Sequence, residues 1–283
     1  MESKRISNGV LVFGVMAALL LMGIEVARHP GSIAGYGRRL LITDTAILLL
    51  NGIAGIWAWR QQHARFNLAL SSGIWIALTA GAVLAANHII EVFVPNRPFA
   101  VVIAPLLLMF TLLGTAGSIA WARTRSVLLA VISGVWCAMI AVIVLLCIVF
   151  FFNMAFERRA ILGLHDAFII SATGDPGTFV VVNSLDAASE FLLRLPILGL
   201  FLSLTGALVI AWISRRTYTT VVLVRLALPV MCVTGVGMLW YADLLERAAR
   251  PPLVMFGVLL VAIALCSAYP AWSARSALHR PER

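Results

Sequence analysis

Long apolar runs alternate with short polar connections along this chain of 283 residues. Each run can cross a bilayer, because about 20 apolar residues at roughly 1.5 Å per residue span its hydrocarbon core. The pattern predicts an all-α, polytopic integral membrane bundle of about eight transmembrane helices. The predicted spans lie near Val10–Ile24, Thr43–Trp59, Phe66–Phe93, Phe99–Ala122, Ser126–Asn153, Ser184–Ile213, Thr217–Ala242 and Pro252–Trp272.

The third predicted span, Phe66–Phe93, carries a stripe of small residues at every fourth position. Small side chains let helix backbones approach closely in lipid, so we expect this helix to be central in the bundle. Leu84 falls outside the stripe, and we expect it to face lipid. The stripe consists of Ala69, Gly73, Ala77, Gly81 and Ala85.

Three polar residues close the same span and form the first candidate site. On a helical wheel Asn87, His88 and Glu91 cover an arc that overlaps the small-residue face, so we expect them to point into protein. Ionisable residues at membrane depth are functional candidates by default. The alternative is an interfacial group that merely ends the helix. We predict that Glu91 is the principal functional carboxylate of an outward-facing cavity.

Polar positions in other spans extend the candidate site. Asp44 opens the second predicted span, where capping the helix is the simpler role. Asn51 lies seven residues deeper on the same face, so the two residues could continue a substrate or ion pathway with Glu91. Glu190 and Arg194 have the i,i+4 spacing of a helix-stabilising pair, and the alternative role of Arg194 is to hold an anion in the cavity.

The segment 154–183, between the fifth and sixth spans, predicts a short interfacial lid over the outer mouth of the bundle. Its first part surrounds His165 and Asp166 with apolar residues, which indicates a helix lying in the interface. Turn-forming residues follow at 173–177. Phe179–Val182 is apolar and β-branched, and we expect protein to cover it because open strand edges are not tolerated in lipid.

Composition excludes several classes of protein. Hydrophobic residues make up 62% of the chain and charged residues 12%, which is far from soluble averages. The net charge of +9 comes mostly from arginines between apolar runs, where they set topology, so we expect no nucleic-acid partner. The single lysine, Lys4, precedes the first span. The four cysteines have no metal or redox spacing, so we expect neither a cofactor nor a metal site.

Charge and aromatic patterns predict that both termini are cytoplasmic, with the chain in a bacterial cytoplasmic membrane. In this orientation eleven basic residues lie inside and eight outside, and Arg194 and Arg225 lie within spans. The four even-numbered spans end in Trp–Arg pairs, which are typical interfacial anchors. Of the twelve acids, only Glu2 and Glu282 fall inside.

The Trp–Arg endings also raise the question of an internal duplication. The chain reads as one transmembrane domain, 1–283, which divides into halves at 1–125 and 126–283 if the four-plus-four repeat is real. The alternative is that any array of helical hairpins acquires tryptophan, arginine and proline at its ends.

Three classes of function fit the sequence. The first is a small permease-like or transport-associated protein with an outward-facing polar cavity for a small molecule or ion. The second is an outer-leaflet lipid-modifying enzyme, with His88 or His165 as base and Arg97, Arg158 or Arg194 holding phosphate. The third is a scaffold or accessory subunit that docks partner membrane helices. Transport leads, because the connections leave limited room for an enzyme's soluble machinery. Membrane lipids are the expected partner in every case.

Overall fold

A computed structural model describes residues 2–61, 63–93, 99–164, 168–169 and 175–214. Every regular element in those ranges is a helix, which confirms the all-α class. The seventh and eighth predicted spans, Thr217–Ala242 and Pro252–Trp272, lie outside the described residues. The helices are α1 (Glu2–Arg28), α2 (Gly35–Arg60), α3 (Ala64–Ser72), α4 (Ile74–Phe93), α5 (Phe99–Thr124), α6 (Val127–Ala155), α7 (Glu157–Gly163) and α8 (Pro176–Ser214).

Within these described ranges, six segments are long and apolar enough to cross a membrane. They correspond to α1, α2, α3 with α4, α5, α6 and α8, and so confirm six long apolar helices at the first six predicted positions. Short connections make consecutive long helices antiparallel. One end of the bundle therefore collects most of the described acids, and we call it the acidic end. These acids are Glu25, Asp44, Glu157, Asp175, Asp186 and Glu190.

Two of the spans begin earlier in the structure than the apolar runs predicted. Helix α2 begins at Gly35, not at Thr43, so Asp44 lies inside the helix and the capping interpretation is wrong. Helix α8 begins at Pro176, not at Ser184, so Phe179–Val182 is helical and not an extended segment. Both extensions carry polar residues that lower the local hydropathy without breaking the helix.

Helix α6 is the central helix of the described bundle, not the third span as predicted. It packs against α1, α3, α4, α5 and α8, and side chains on all of its faces are buried. The third span is interrupted at Gly73, which separates α3 from α4. It forms one wall of the bundle around α6.

The small-residue stripe packs against α6, as predicted from its spacing. A Cβ atom built on Gly81 would lie 2.6 Å from the carbonyl oxygen of Ala141, so the two backbones are in close contact. The hydroxyl of Ser133 donates a hydrogen bond of 2.9 Å to the carbonyl oxygen of Ala69 across the same interface. Leu84 is only 3% exposed, so the expectation that it faces lipid is wrong.

A second set of small residues joins α5, α6 and α8. A Cβ on Gly199 would lie 2.7 Å from the carbonyl oxygen of Gly134, and one on Gly206 would lie 2.5 Å from the carbonyl oxygen of Gly114. Ser203 fits between the helices at the same level and is fully buried. Close packing of this kind is how helices associate where lipid removes the hydrophobic driving force.

Candidate functional site

A cavity of about 320 Å³ lies near the acidic end, enclosed by α4, α5, α6, α7 and α8. On α4 it extends from Leu84 to Val92, which is roughly 12 Å of helix at 1.5 Å per residue. Its volume is at the lower end of the range for small-molecule sites, about 300–1,000 Å³. The five polar side chains in its lining are Asn87, His88, Asn153, Asn183 and Ser184.

The rest of the cavity wall is mainly apolar. Two leucines and a valine from α6 contribute to it, as does Phe191 of α8. Such a lining favours a ligand that is largely apolar and carries a few hydrogen-bonding groups. His88 is the one ionisable side chain among the described lining residues, so the site provides little fixed charge.

Two of the polar lining residues hold each other in place across α6 and α8. The side-chain amide of Asn153 donates a hydrogen bond of 2.8 Å to the hydroxyl of Ser184. That hydroxyl donates its own proton to the carbonyl oxygen of Val180, also at 2.8 Å. Because the hydroxyl proton is committed to Val180, Ser184 must accept from Asn153, which fixes the orientation of the amide.

The structure brings together only some of the residues predicted for the pathway. Asn87 and His88 both line the cavity. Glu91 is in α4, but its side chain lies outside the described part of the structure. Asp44 and Asn51 are buried on α2 and are not among the lining residues. Asp44 instead accepts a hydrogen bond of 2.5 Å from the hydroxyl of Ser189 on α8.

The residues predicted for the lid and anion contact have different outcomes. His165 and Asp166 lie outside the described residues. Arg194 is exposed and forms an ion pair of 2.9 Å with Glu190, so it does not face the cavity. Helix α7, the first part of the predicted lid segment 154–183, does lie against the cavity. It contributes Ala160 and Gly163, and Leu164 follows directly after it.

Sequence reasoning missed three polar lining residues, Asn153, Asn183 and Ser184. Asn153 and Ser184 were placed at predicted span ends and Asn183 at the end of the predicted lid segment, positions where polar residues are common. The sequence did contain a signal for these residues, because the predicted end of the fifth span and start of the sixth lie at the same membrane face as Asn87. In a bundle of antiparallel helices, polar residues at one level of several helices can meet.

A network of polar contacts, including the Arg28–Glu157 ion pair, ties α7 and the start of α8 to the end of α1. Arg28 contacts Glu157 at 2.9 Å and donates a bond of 3.3 Å to the carbonyl oxygen of Met154. The His29 imidazole lies 3.3 Å from the Glu157 carboxylate and 4.0 Å from that of Asp175. The network therefore holds α7, which lines the cavity, to the end of α1.

Asp175 caps the first turn of α8. Its carboxylate accepts a bond of 2.8 Å from the backbone N–H of Thr178, and Pro176 occupies the first helical position, where proline is favoured. The side-chain and backbone bonds from Thr178 lower the pKa of Asp175 from its ordinary value.

Loss of this cap should open the start of α8. We expect Asp175→Ala to cost roughly 0.5–2 kcal/mol of local helix stability and to speed amide hydrogen exchange at Thr178 and Phe179. The pKa of Asp175 is lower in the folded protein than in the unfolded chain. The stability that the cap contributes is therefore complete above about pH 4, the ordinary pKa of aspartate, and is lost as the pH falls through the lower pKa of the folded protein. Asp175→Asn keeps an acceptor oxygen and should exchange nearly as slowly. Equal exchange in all three proteins at neutral pH would contradict the cap.

Comparison with known proteins gives no match: no protein-family model, no curated protein and no solved structure is similar to this chain. Function is therefore inferred from the cavity and its surroundings.

Proposed function

We propose that the protein is a small permease-like membrane protein that binds a small amphipathic molecule in the cavity between α4, α6 and α8. The observation that supports this is the cavity itself. It lies among helices that pack closely elsewhere, and amide, imidazole and hydroxyl groups line one part of its otherwise apolar wall. These groups can both donate and accept hydrogen bonds, so they suit a ligand with a neutral polar group on an apolar body.

The proposal includes the topology inferred from charge. Both termini are placed in the cytoplasm of a bacterial cell, the chain crosses the cytoplasmic membrane about eight times, and the acidic end with the cavity faces outward. Membrane lipids contact the outer surface of the bundle. Glu91 remains the proposed titrating carboxylate of the pathway. The repeat of halves 1–125 and 126–283 stays a hypothesis within this proposal.

Accessibility of the cavity from the two sides of the membrane tests the proposal. We expect Asn183→Cys to react with a membrane-impermeant thiol reagent both in intact spheroplasts and in inverted vesicles, because a permease exposes its site alternately. Labelling of the unmodified chain gives the background of the native cysteines. Two exposed positions serve as controls for the two sides: Arg159→Cys should react only from outside and Arg123→Cys only from inside.

Each other labelling pattern has a definite meaning. Reaction of Asn183→Cys from the outer side alone would contradict transport and favour the outer-leaflet enzyme. Reaction from neither side would favour a scaffold or accessory subunit. If Arg159→Cys reacts only from the cytoplasmic side, the proposed orientation is wrong. Native mass spectrometry of the gently solubilised protein would then identify a bound small molecule, lipid or partner subunit.

The enzyme alternative receives less support from the cavity. Among the described lining residues there is no carboxylate, and His88 is the only candidate base. The Ser184 hydroxyl donates to the Val180 carbonyl, so it is not held as a nucleophile on an imidazole. Of the three arginines proposed to hold phosphate, Arg194 is paired with Glu190 away from the cavity.

A further inference from the structure

A second, much smaller cavity lies directly behind Asn153. Its volume is about 10 Å³, close to the minimum that holds one water molecule. Asn153 lines both this space and the large cavity, so it forms part of the wall between them. Glu25 of α1 also lines the small cavity, together with Arg28, His29 and Glu157.

Two buried polar residues, Glu25 and Asn153, are among those that line this small space. Glu25 is 3% exposed and Asn153 is 4% exposed. Oε2 of Glu25 and Oδ1 of Asn153 are buried, and each lacks a hydrogen-bond partner in the described part of the chain. A buried acceptor without a donor is costly, roughly 1–3 kcal/mol. The amide of Asn153 cannot turn round to supply a donor without losing its bond to Ser184.

The polar and charged groups around Glu25 are already engaged with one another. Arg28 binds Glu157 and the Met154 carbonyl oxygen. His29 lies between Glu157 and Asp175. A metal ion does not fit this arrangement, because the described residues hold no group of three metal-ligating side chains and the cationic Arg28 also lines the cavity. A proton on Glu25 would turn one of the two acceptor oxygens into a donor that can bond to the other, directly or through one water.

We propose that Glu25 is a proton-binding site and that Asn153 couples it to the large cavity. The proposal rests on the proposed function in one respect, that the large cavity is a ligand site. It adds the ion whose binding accompanies the ligand. Neither residue belongs to the pathway predicted from the sequence.

The proton balance is simple. A proton from water at the acidic end adds to the Glu25 carboxylate and gives a neutral carboxylic acid. Its O–H then donates to Oδ1 of Asn153, directly or through one water in the small cavity. When the proton leaves, neither oxygen can donate to the other and the Asn153 side chain loses one of its anchors. Protonation of Glu25 therefore favours the Asn153 orientation that also holds Ser184 at the large cavity.

Infrared spectroscopy of the full-length protein in lipid nanodiscs tests the proton site without any ligand. At pH 7 we expect a carbonyl stretching band of a protonated carboxylic acid that disappears in Glu25→Gln. The matched control is Glu190→Gln, whose side chain is half exposed and which should leave the band unchanged. A spectrum that Glu25→Gln does not alter would overturn the proposal. If that variant is not recovered folded, Glu25→Asp should shift the band, and an unshifted band would have the same meaning.

The same infrared band tests whether Asn153 couples Glu25 to the large cavity. Asn153→Leu removes the acceptor, so the Glu25 band should move to higher frequency, as for a carboxylic acid that has lost its hydrogen bond. Asn183→Leu changes the large cavity but leaves the small one intact, so it should not move the band. An unmoved band in Asn153→Leu would remove the link between the two cavities. Since these spectra need no ligand, their failure is distinguishable from a failure of the thiol-labelling experiment.

Discussion

Replacing Gly81 by leucine should lower the melting temperature of the purified protein strongly. A Cβ at this position would already lie 2.6 Å from the Ala141 carbonyl oxygen and 2.7 Å from Cβ of Val144. The rest of a leucine side chain has to push α4 away from α6. Forcing larger side chains into a packed interface typically costs about 1–3 kcal/mol of stability. We expect the cost for Gly81→Leu to lie at the upper end of this range or above it, because the added side chain meets backbone atoms, which cannot move aside as a flexible side chain can.

The neighbouring residue provides a matched control for Gly81→Leu. Ala82 is exposed on the same helix, so Ala82→Leu adds a comparable volume on the outer face and should leave the melting temperature nearly unchanged. Gly23→Ala in α1 is a second control, because a Cβ there meets no atom within 4 Å. Equal melting temperatures for Gly81→Leu and Ala82→Leu in detergent would show that the α4–α6 interface is not closely packed.

The same helix shows what periodicity can and cannot predict. Spacing in the sequence identifies which residues share a face, and the stripe at Gly81 does face a neighbouring helix. It does not say how many neighbours a helix has. Helix α4 packs against both α5 and α6, so Leu84, outside the stripe, is also buried. The central position belongs to α6, whose continuous apolar sequence gives no preferred face and is typical of a helix surrounded by others.

Helix boundaries were missed where polar residues continue a helix beyond its apolar part. Arg38 and Arg39 lower the hydropathy at the start of α2, yet long arginine side chains can remain exposed beside an apolar helix. For α8 the necessary signal was present in the sequence. An aspartate at the N-cap followed by proline at the first helical position is a common helix start, and Asp175–Pro176 has this pattern.

The candidate site was predictable only as far as it lies on one helix. Asn87 and His88 are neighbours on α4, and their direction follows from the small-residue stripe. The contribution of Asn153 and Ser184 depends on which helices are adjacent, and no local pattern contains that information. For the same reason the sequence could not show that Asp44 and Asn51 lie away from the cavity. Their helix, α2, packs against α8, where Asp44 binds Ser189, a residue outside the cavity lining.

Filling the large cavity should weaken ligand binding strongly while the protein stays folded. Ala187 lines the cavity from α8 and is partly exposed, so a phenylalanine at this position can extend into the open space without displacing a helix. The ring would compete with the ligand for the apolar part of the wall. Steric conflict of about 1–3 kcal/mol corresponds to a loss of affinity of roughly ten- to a hundredfold.

The measurement is the amount of small molecule that co-purifies with each protein in native mass spectrometry, with the melting temperature recorded in parallel. Ala86→Phe is the matched control, because Ala86 is exposed on α4 next to Asn87 and adds the same ring outside the cavity. We expect the unmodified protein and Ala86→Phe to retain the bound molecule and Ala187→Phe to lose it. Retention by Ala187→Phe would place the ligand elsewhere, since no molecule that fills this cavity could share it with the added ring.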